Sequence, residues 1–300
     1  MPIERVLIAI ATFRRPAQLR RLLNSLRVTQ SGGLSVAVVV VDNDRAESAR
    51  EICTEFAGIL DIEYSVQHVP GIADTRNAAL AHASAHDAVI FVDDDEWVAS
   101  DWLARLVERA DNTNADVVTG PVITERSALP SWARRGAFFQ RRSIPDGEVL
   151  ATAATNNTLL RVASWEQAGS PRFDRAYSFS GGSDTALFSY LVRRHRQTIV
   201  YCENAVVFED LPEERVTLRW VTRRELRTGS VLFRVWVPYD GVWRCALRMV
   251  LHMAYGVGNL AINLIFRWRL SAYGYSKLMR GIGMLNASRG VIVEEYARSH

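Results

Sequence analysis

Apolar runs alternate with helical stripes over the first two thirds of the chain. Residues 5–11 (RVLIAIA) form a continuous apolar run, the pattern of a strand buried on both faces. Thr12 to Arg15 make a turn, and Pro16 suits the first position of a helix. Leu19, Leu22, Leu23 and Leu26 then recur at i, i+3, i+4 and i+7, one stripe to pack on a sheet. Gly32-Gly33 breaks the chain before a second buried strand over 35–41, which ends in Asp42-Asn43-Asp44. A helix over 47–56 and a strand near 62–66 follow. Next come a loop at 71–74, with Asp74 as candidate N-cap, and a helix carrying Arg76 and Asn77. The strand after that stops abruptly at Val92, and Asp93, Asp94 and Asp95 stand at its end.

Beyond a helix at 101–110 and a strand at 115–120, residues 123–150 lose all periodicity, as lids and binding loops do. A strand at 155–161 and a short helix at 164–168 lead to FSGGSDTALFSYL (179–191). There Gly181-Gly182 permits a tight turn, and Asp184 opens a helix. Strands at 199–202 and 205–208 end in Glu209-Asp210. From 213 onward the pattern is helical. The longest apolar stretch, 242–266, is interrupted by Arg244, Arg248, His252, Asn259 and Asn263. That fits an interfacial or packing helix better than a spanning one.

Strands alternating with helices imply βαβ units and a mostly parallel sheet, hence an α/β fold. Polar residues stand at the carboxyl edge of successive strands: Thr12 and Arg14, Asp42, then Asp93 to Asp95. In such sheets that edge binds ligands. No GxGxxG follows the first strand and no GxxxxGK[ST] occurs, so a dinucleotide dehydrogenase and a P-loop NTPase lose support.

Composition adds three constraints. With 300 residues and 48% hydrophobic content, the chain can build one large core or two modest ones. Charge is uneven: from residue 212 onward there are 14 basic and 6 acidic residues, against 22 and 27 before it. A basic tail suits an anionic membrane surface better than nucleic acid, although a solvated basic face reads the same way. Cys53, Cys202 and Cys245 are odd in number and far apart, as buried thiols of a reducing compartment are. The N-terminus runs straight into a strand without a signal-peptide pattern, so the expected location is cytoplasmic or cytosol-facing.

Three adjacent carboxylates repel one another unless cations or donors offset them. Asp93 and Asp95 can turn towards one hard divalent cation, Mg²⁺ or Mn²⁺, whose shell phosphate oxygens complete. The competing reading is an acidic turn ahead of a helix near Ser100. Arg76 opens a helix nearby and offers positive charge to a phosphate. Asp184 reads as a carboxylate placed at a helix N-terminus or as a simple helix cap, and Trp132 either as a sugar-stacking ring or as ordinary packing.

The order of ATFRRP, VVVVDND (38–44), GIADTRNAAL (71–80), FVDDDE (91–96), ATNNTLL (154–160) and SGGSDTALF (180–188) resembles family 2 glycosyltransferases of the GT-A fold. The resemblance covers roughly residues 3–211. VVFEDLPEERVTLRW (206–220) resembles the bacterial exopolysaccharide branch that includes succinoglycan glucosyltransferases. The resemblance implies a catalytic domain over 1–211, and charge and apolar pattern make 212–300 a basic, helical, candidate membrane-associating region. Thr12, Phe13, Arg14, Asp42, Arg76, Asp93 and Asp94 would bind the donor, a UDP-sugar, and Asp93 and Asp95 the metal. Asp184 takes the position of the catalytic base. Glu209 or Asp210 stands where many relatives carry a metal-ligating His. Ser183 replaces a Glu common in relatives, and with Gly182 and Trp132 is a candidate acceptor contact. The implied activity is inverting transfer of a sugar to a saccharide or lipid-linked saccharide, at the inner face of a bacterial membrane. A nucleotidyltransferase and a non-catalytic membrane-associated scaffold are the alternatives.

Overall fold

The computed structural model describes residues 2–125, 129–140 and 143–292. They divide into two units, one formed by 1–125, 144–178 and 183–210, the other by 126–143, 179–182 and 211–300. Residues 126–143 and 179–182, inside the stretch expected to form the catalytic domain, thus belong to the second unit.

The first unit carries strands β1 (Arg5–Thr12), β2 (Ser35–Asp42), β3 (Asp61–Val66), β4 (Ala88–Asp93), β5 (Glu96–Val98), β6 (Val117–Thr119), β7 (Val122–Glu125), β8 (Val149–Leu150), β9 (Thr158–Arg161), β10 (Ile199–Tyr201) and β11 (Val207–Asp210). Its helices are α1 (Pro16–Arg27), α2 (Arg50–Phe56), α3 (Ile72–Leu80), α4 (Trp102–Thr113), α6 (Val162–Gln167) and α7 (Ser183–His195). The second unit holds α5 (Ser131–Gly136), α8 (Leu218–Asp240), α9 (Val242–Arg267) and α10 (Ala272–Ser288).

The main sheet runs β3-β2-β1-β4-β9-β6-β10-β8, and β5-β11-β7 form a second, smaller one. Strands β3, β2, β1 and β4 are parallel, whereas β9 runs antiparallel to both β4 and β6. Side-chain alternation sends Val6, Ile8, Ile10, Val38 and Val40 to one core layer with the Leu19, Leu22, Leu23 and Leu26 stripe of α1. Leu7, Ala9, Val39 and Val41 pack on the other face with Ala73 and Leu80 of α3 and Leu187 and Phe188 of α7. Burying each leucine of the stripe contributes about 1.5–3 kcal/mol. All three cysteines are buried and outside any disulfide. Helix α3 begins at Ile72 behind Gly71, which adopts φ +133°. Asp74 is therefore not its N-cap but lies buried in the first turn, paired with Arg175.

Asn157, within ATNNTLL, joins elements that share no ladder. It is fully buried. Its amide nitrogen donates to the carbonyls of Pro121 (2.9 Å) and Ala205 (2.7 Å), and its oxygen accepts from the Trp102 indole at 2.8 Å. A carboxylate of the same shape can donate to neither carbonyl. Asn157→Asp is therefore expected to cost roughly 3–5 kcal/mol by leaving buried groups unsatisfied. Thermal unfolding should show a Tm lower by about 10 °C.

Candidate active site at the carboxyl edge of the sheet

Register builds this site. Strand β1 pairs with β4 so that Ala11 lies opposite Asp93, and with β2 so that Thr12 lies opposite Asp42. The carboxyl ends of three strands therefore converge, and β1 in the middle feeds the turn carrying Arg14 and Arg15.

Each member of the acidic triplet meets a guanidinium group, and Asp94 and Asp95 share one. Asp93 accepts from Arg76 at 3.0 Å. Asp94 is buried, accepting from the Thr12 hydroxyl at 2.8 Å and from Arg15 at 2.9 Å. The same guanidinium nitrogen of Arg15 reaches Asp95 at 2.9 Å. Asp93 also turns its backbone N–H onto the buried carboxyl of Glu96, at 3.0 Å.

Among the described residues, Arg15 and Arg76 leave these acids mutually repelling. Loss of hydration raises the pKa of Asp93, and the charges of Asp95 and Asp184 add to that against the pull of Arg76. Burial and Asp95 push Asp94 up to about 6, against Arg15 and Thr12. Glu96 is also raised well above the ordinary carboxyl range, by burial first and then by Asp93, Asp95 and Glu209. The excess negative charge suits a hard divalent cation, and the oxygens of Asp93 and Asp95 are chemically fit to hold one. Among the described residues, no group of three His, Cys, Asp or Glu side chains is arranged to hold a metal ion.

Asp184 stands in the first turn of α7, where one carboxylate oxygen accepts the Thr185 N–H at 2.7 Å. Its charge is felt at Asp93, so both belong to one electrostatic cluster. Of the two acids ending β11, Glu209 faces that cluster. It pairs in register with Glu96 and accepts from Thr124 at 2.7 Å. Asp210 points outward to Arg21, at 2.6 Å.

Other expected site residues are engaged elsewhere. Asp42 is fully buried; it accepts from the N–H groups of Asp44 (2.9 Å) and Ala49 (2.8 Å) and the Tyr64 hydroxyl (3.1 Å). It braces the loop after β2. Arg14, in the left-handed region at φ +54°, forks onto Asp44 at 3.1 and 3.3 Å and lies 4.9 Å from the Phe13 ring centre. Ser183 is wholly buried, and its hydroxyl has no hydrogen-bond partner. Gly182 has φ +96°, and a side chain there would meet Val231 at 2.4 Å. Trp132 packs edge-on against Phe138 and Phe139 in the second unit.

Three participants escape a reading of the sequence: Arg15, Asp44 and Glu96. Arg15 is adjacent to an identical residue, and only the turn geometry separates their tasks. Asp44 was visible in DND but gave no sign of its partner. Glu96 looked like one more acid in an acidic run.

Comparison with known proteins supplies the rest. Residues 7–168 match the family described as Glycosyl transferase family 2. The chain is 34% identical over 228 residues to the succinoglycan biosynthesis protein ExoM of Rhizobium meliloti (strain 1021), covering 74% of this chain and 72% of ExoM. It is 28% identical over 118 residues to the glycosyltransferase GlyA of Streptococcus pneumoniae serotype 4, covering 39% of this chain and 16% of GlyA. Among solved structures, residues 1–349 of S. aureus TarS in complex with UDP-GlcNAc align with TM-score 0.55 and 15% identity. The match covers 96% of this chain and 92% of that one. At that identity the likeness is one of fold: a GT-A-type, mostly parallel sheet flanked by helices.

Arg15 provides a direct test of the charge balance. Arg15→Ala leaves Asp94 and Asp95 facing each other without their shared cation. Arg15 is partly exposed, which reduces the penalty below that of a fully buried pair, to about 1–3 kcal/mol. Metal-free variant protein should melt several degrees below the parent in a thermal scan. Added Mn²⁺ should raise the variant's Tm more than the parent's, because the cation takes over the lost charge.

Proposed function

The chain belongs to glycosyl transferase family 2, and from that premise we propose that it is a metal-dependent, inverting transferase. It moves a hexose from a nucleotide sugar, of the UDP type, to a hydroxyl of a saccharide or lipid-linked saccharide. The observation that carries the reading is the cluster of Asp93, Asp94 and Asp95 at the end of β4, with Arg76 beside it and Asp184 within electrostatic reach. Kinship with ExoM, a succinoglycan biosynthesis protein, supports a place in bacterial exopolysaccharide assembly. The nucleotidyltransferase alternative draws no support from the family match.

In this reading Asp93 and Asp95 would hold Mn²⁺ or Mg²⁺, and Glu209, unlike Asp210, would add negative charge on the same side. The ion, when bound, supplies positive charge to the leaving diphosphate. Arg76 adds a fixed guanidinium at the same place, offsetting charge that develops as the glycosidic bond breaks. Thr12 and Arg15 hold Asp94 in a single orientation beside the donor. Phe13 and Arg14 line the same edge, and Asp42 acts by shaping the loop behind them. Asp184 takes the proton from the acceptor hydroxyl as its oxygen attacks the anomeric carbon from the opposite face. One displacement inverts the anomeric centre and needs no covalent enzyme intermediate. The protein works in the cytoplasm, with the second unit holding it peripherally at the inner, anionic face of the membrane, near a lipid-linked acceptor.

Incubation with a panel of nucleotide sugars tests the whole reading: metal-dependent release of nucleoside diphosphate is expected, and none from any donor would overturn it. Calorimetry with UDP and Mn²⁺ isolates the acidic edge. Asp95→Ala should abolish the metal dependence of UDP binding; unchanged dependence would remove Asp95 from the site. Asp184→Asn keeps the side chain's size but loses the basic oxygen. It should keep UDP affinity and Tm while slowing transfer by at least about 100-fold. Near-parental transfer would move the role of base to Glu209.

A further inference from the structure

The second unit turns an apolar face outward. Trp243, Leu247, Leu251, Ala254, Ile262 and Ile265 of α9 are all exposed, Trp243 at 88% and Ile265 at 65%. At ~100° per residue they fall on one side of the helix. Three of the five polar interruptions lie on the other side: Asn263 is buried, and His252 and Asn259 are half-buried there beside Gly256. Residues 249–266 hold no Asp, Glu, Lys or Arg. Exposed Arg244 and Arg267 stand near the two ends, with exposed Trp243 and Trp268 beside them. By length and composition α9 is long and apolar enough to cross a membrane, and 11% of its most apolar window is buried.

The partners of α9 distinguish crossing from lying flat. Helix α10 packs along it, with Leu278 against Gly256 and Gly281 against Met253. Lys277 and Arg280 therefore sit level with the middle of α9, Arg280 paired with Glu225 of α8 at 2.5 Å. Upright, α9 would carry these charges to the centre of the hydrocarbon, where each costs several kcal/mol. Lying flat, it immerses its outer face alone and leaves them on the protein side.

We propose that the outer face of α9 is a lipid-binding surface that rests parallel to an anionic bilayer, immersed to the level of Trp243 and Trp268. This deepens the reading of a peripheral enzyme by naming the helix, its face and its orientation. Indole rings at both ends suit the headgroup region, and the arginines beside them suit anionic headgroups. The same charge disfavours a second copy as the occupant, because residues 212–300, with 14 basic against 6 acidic side chains, would meet their like.

The full chain can be tested with phosphatidylglycerol and phosphatidylcholine vesicles. Binding to the anionic vesicles is expected, and Leu251→Glu with Ile262→Glu should weaken it by at least about 100-fold. Both positions are exposed, so far-UV circular dichroism and Tm should stay parental. Nitroxide labels at Leu247→Cys, Ala254→Cys and Ile265→Cys report orientation. Equal depths along the ~27 Å from 247 to 265 support a flat helix, whereas a maximum at 254 would overturn it in favour of a span. Failure to bind either vesicle, or sedimentation as a dimer that the double variant dissolves, would overturn lipid as the occupant. Nucleoside diphosphate release in vesicle-free buffer, measured on the same variants, reports on the transferase reading separately and should be unchanged.

Discussion

Charge balance at the end of β4 is the constraint on which the first unit depends. Three consecutive carboxylates, with a buried fourth at Glu96, cannot be held at a strand end by hydration alone. The chain answers from two directions: Thr12 and Arg15 come from the β1–α1 turn, Arg76 from the opening of α3. This works because β1 lies between β2 and β4. Arg14 in its left-handed conformation divides two adjacent arginines between the flanks. Arg14 serves Asp44 beyond β2, and Arg15 serves Asp94 and Asp95 beyond β4. A left-handed non-glycine residue carries backbone strain of order 1–3 kcal/mol.

The unbalanced remainder is where function enters. Removing the acids would relieve the repulsion, and more arginine would neutralise it, but the chain does neither. It keeps Asp93 and Asp95 partly accessible and commits only Asp94 to an internal role. A site left electrostatically incomplete binds a cation more strongly than a self-satisfied one, since its arrival removes an existing repulsion.

Much of this was legible from residue pattern. The buried strands, the leucine stripe of α1, the acidic edge and Asp184 at a helix start all follow from periodicity and turn residues. What stayed hidden has identifiable causes. Asp42 stands at a strand end as the triplet does, and only the fold reveals that Ala49 and Tyr64 occupy its oxygens. Glu209 and Asp210 are chemically alike, but side chains alternate along a strand. The pairing of β11 with β5 sets Glu209 beside Glu96 and leaves Asp210 outside. Gly182 suggested room for an acceptor, and the space is instead filled by Val231.

The tail carries the same lesson with the opposite sign. His252, Asn259 and Asn263 counted against α9 as a spanning helix when taken as interruptions in a line. On a helix the three fall on one side, which faces α10 rather than solvent. That seam is closed by glycines: a side chain at Gly256 would meet the Leu278 backbone nitrogen at 2.5 Å, and one at Gly281 the Met253 side chain at 2.4 Å. Backbones this close pack by contact and need few large apolar side chains between them. The large apolar side chains of α9 are consequently on the outside. Water penalises such an arrangement along the whole helix, and a lipid surface removes the penalty.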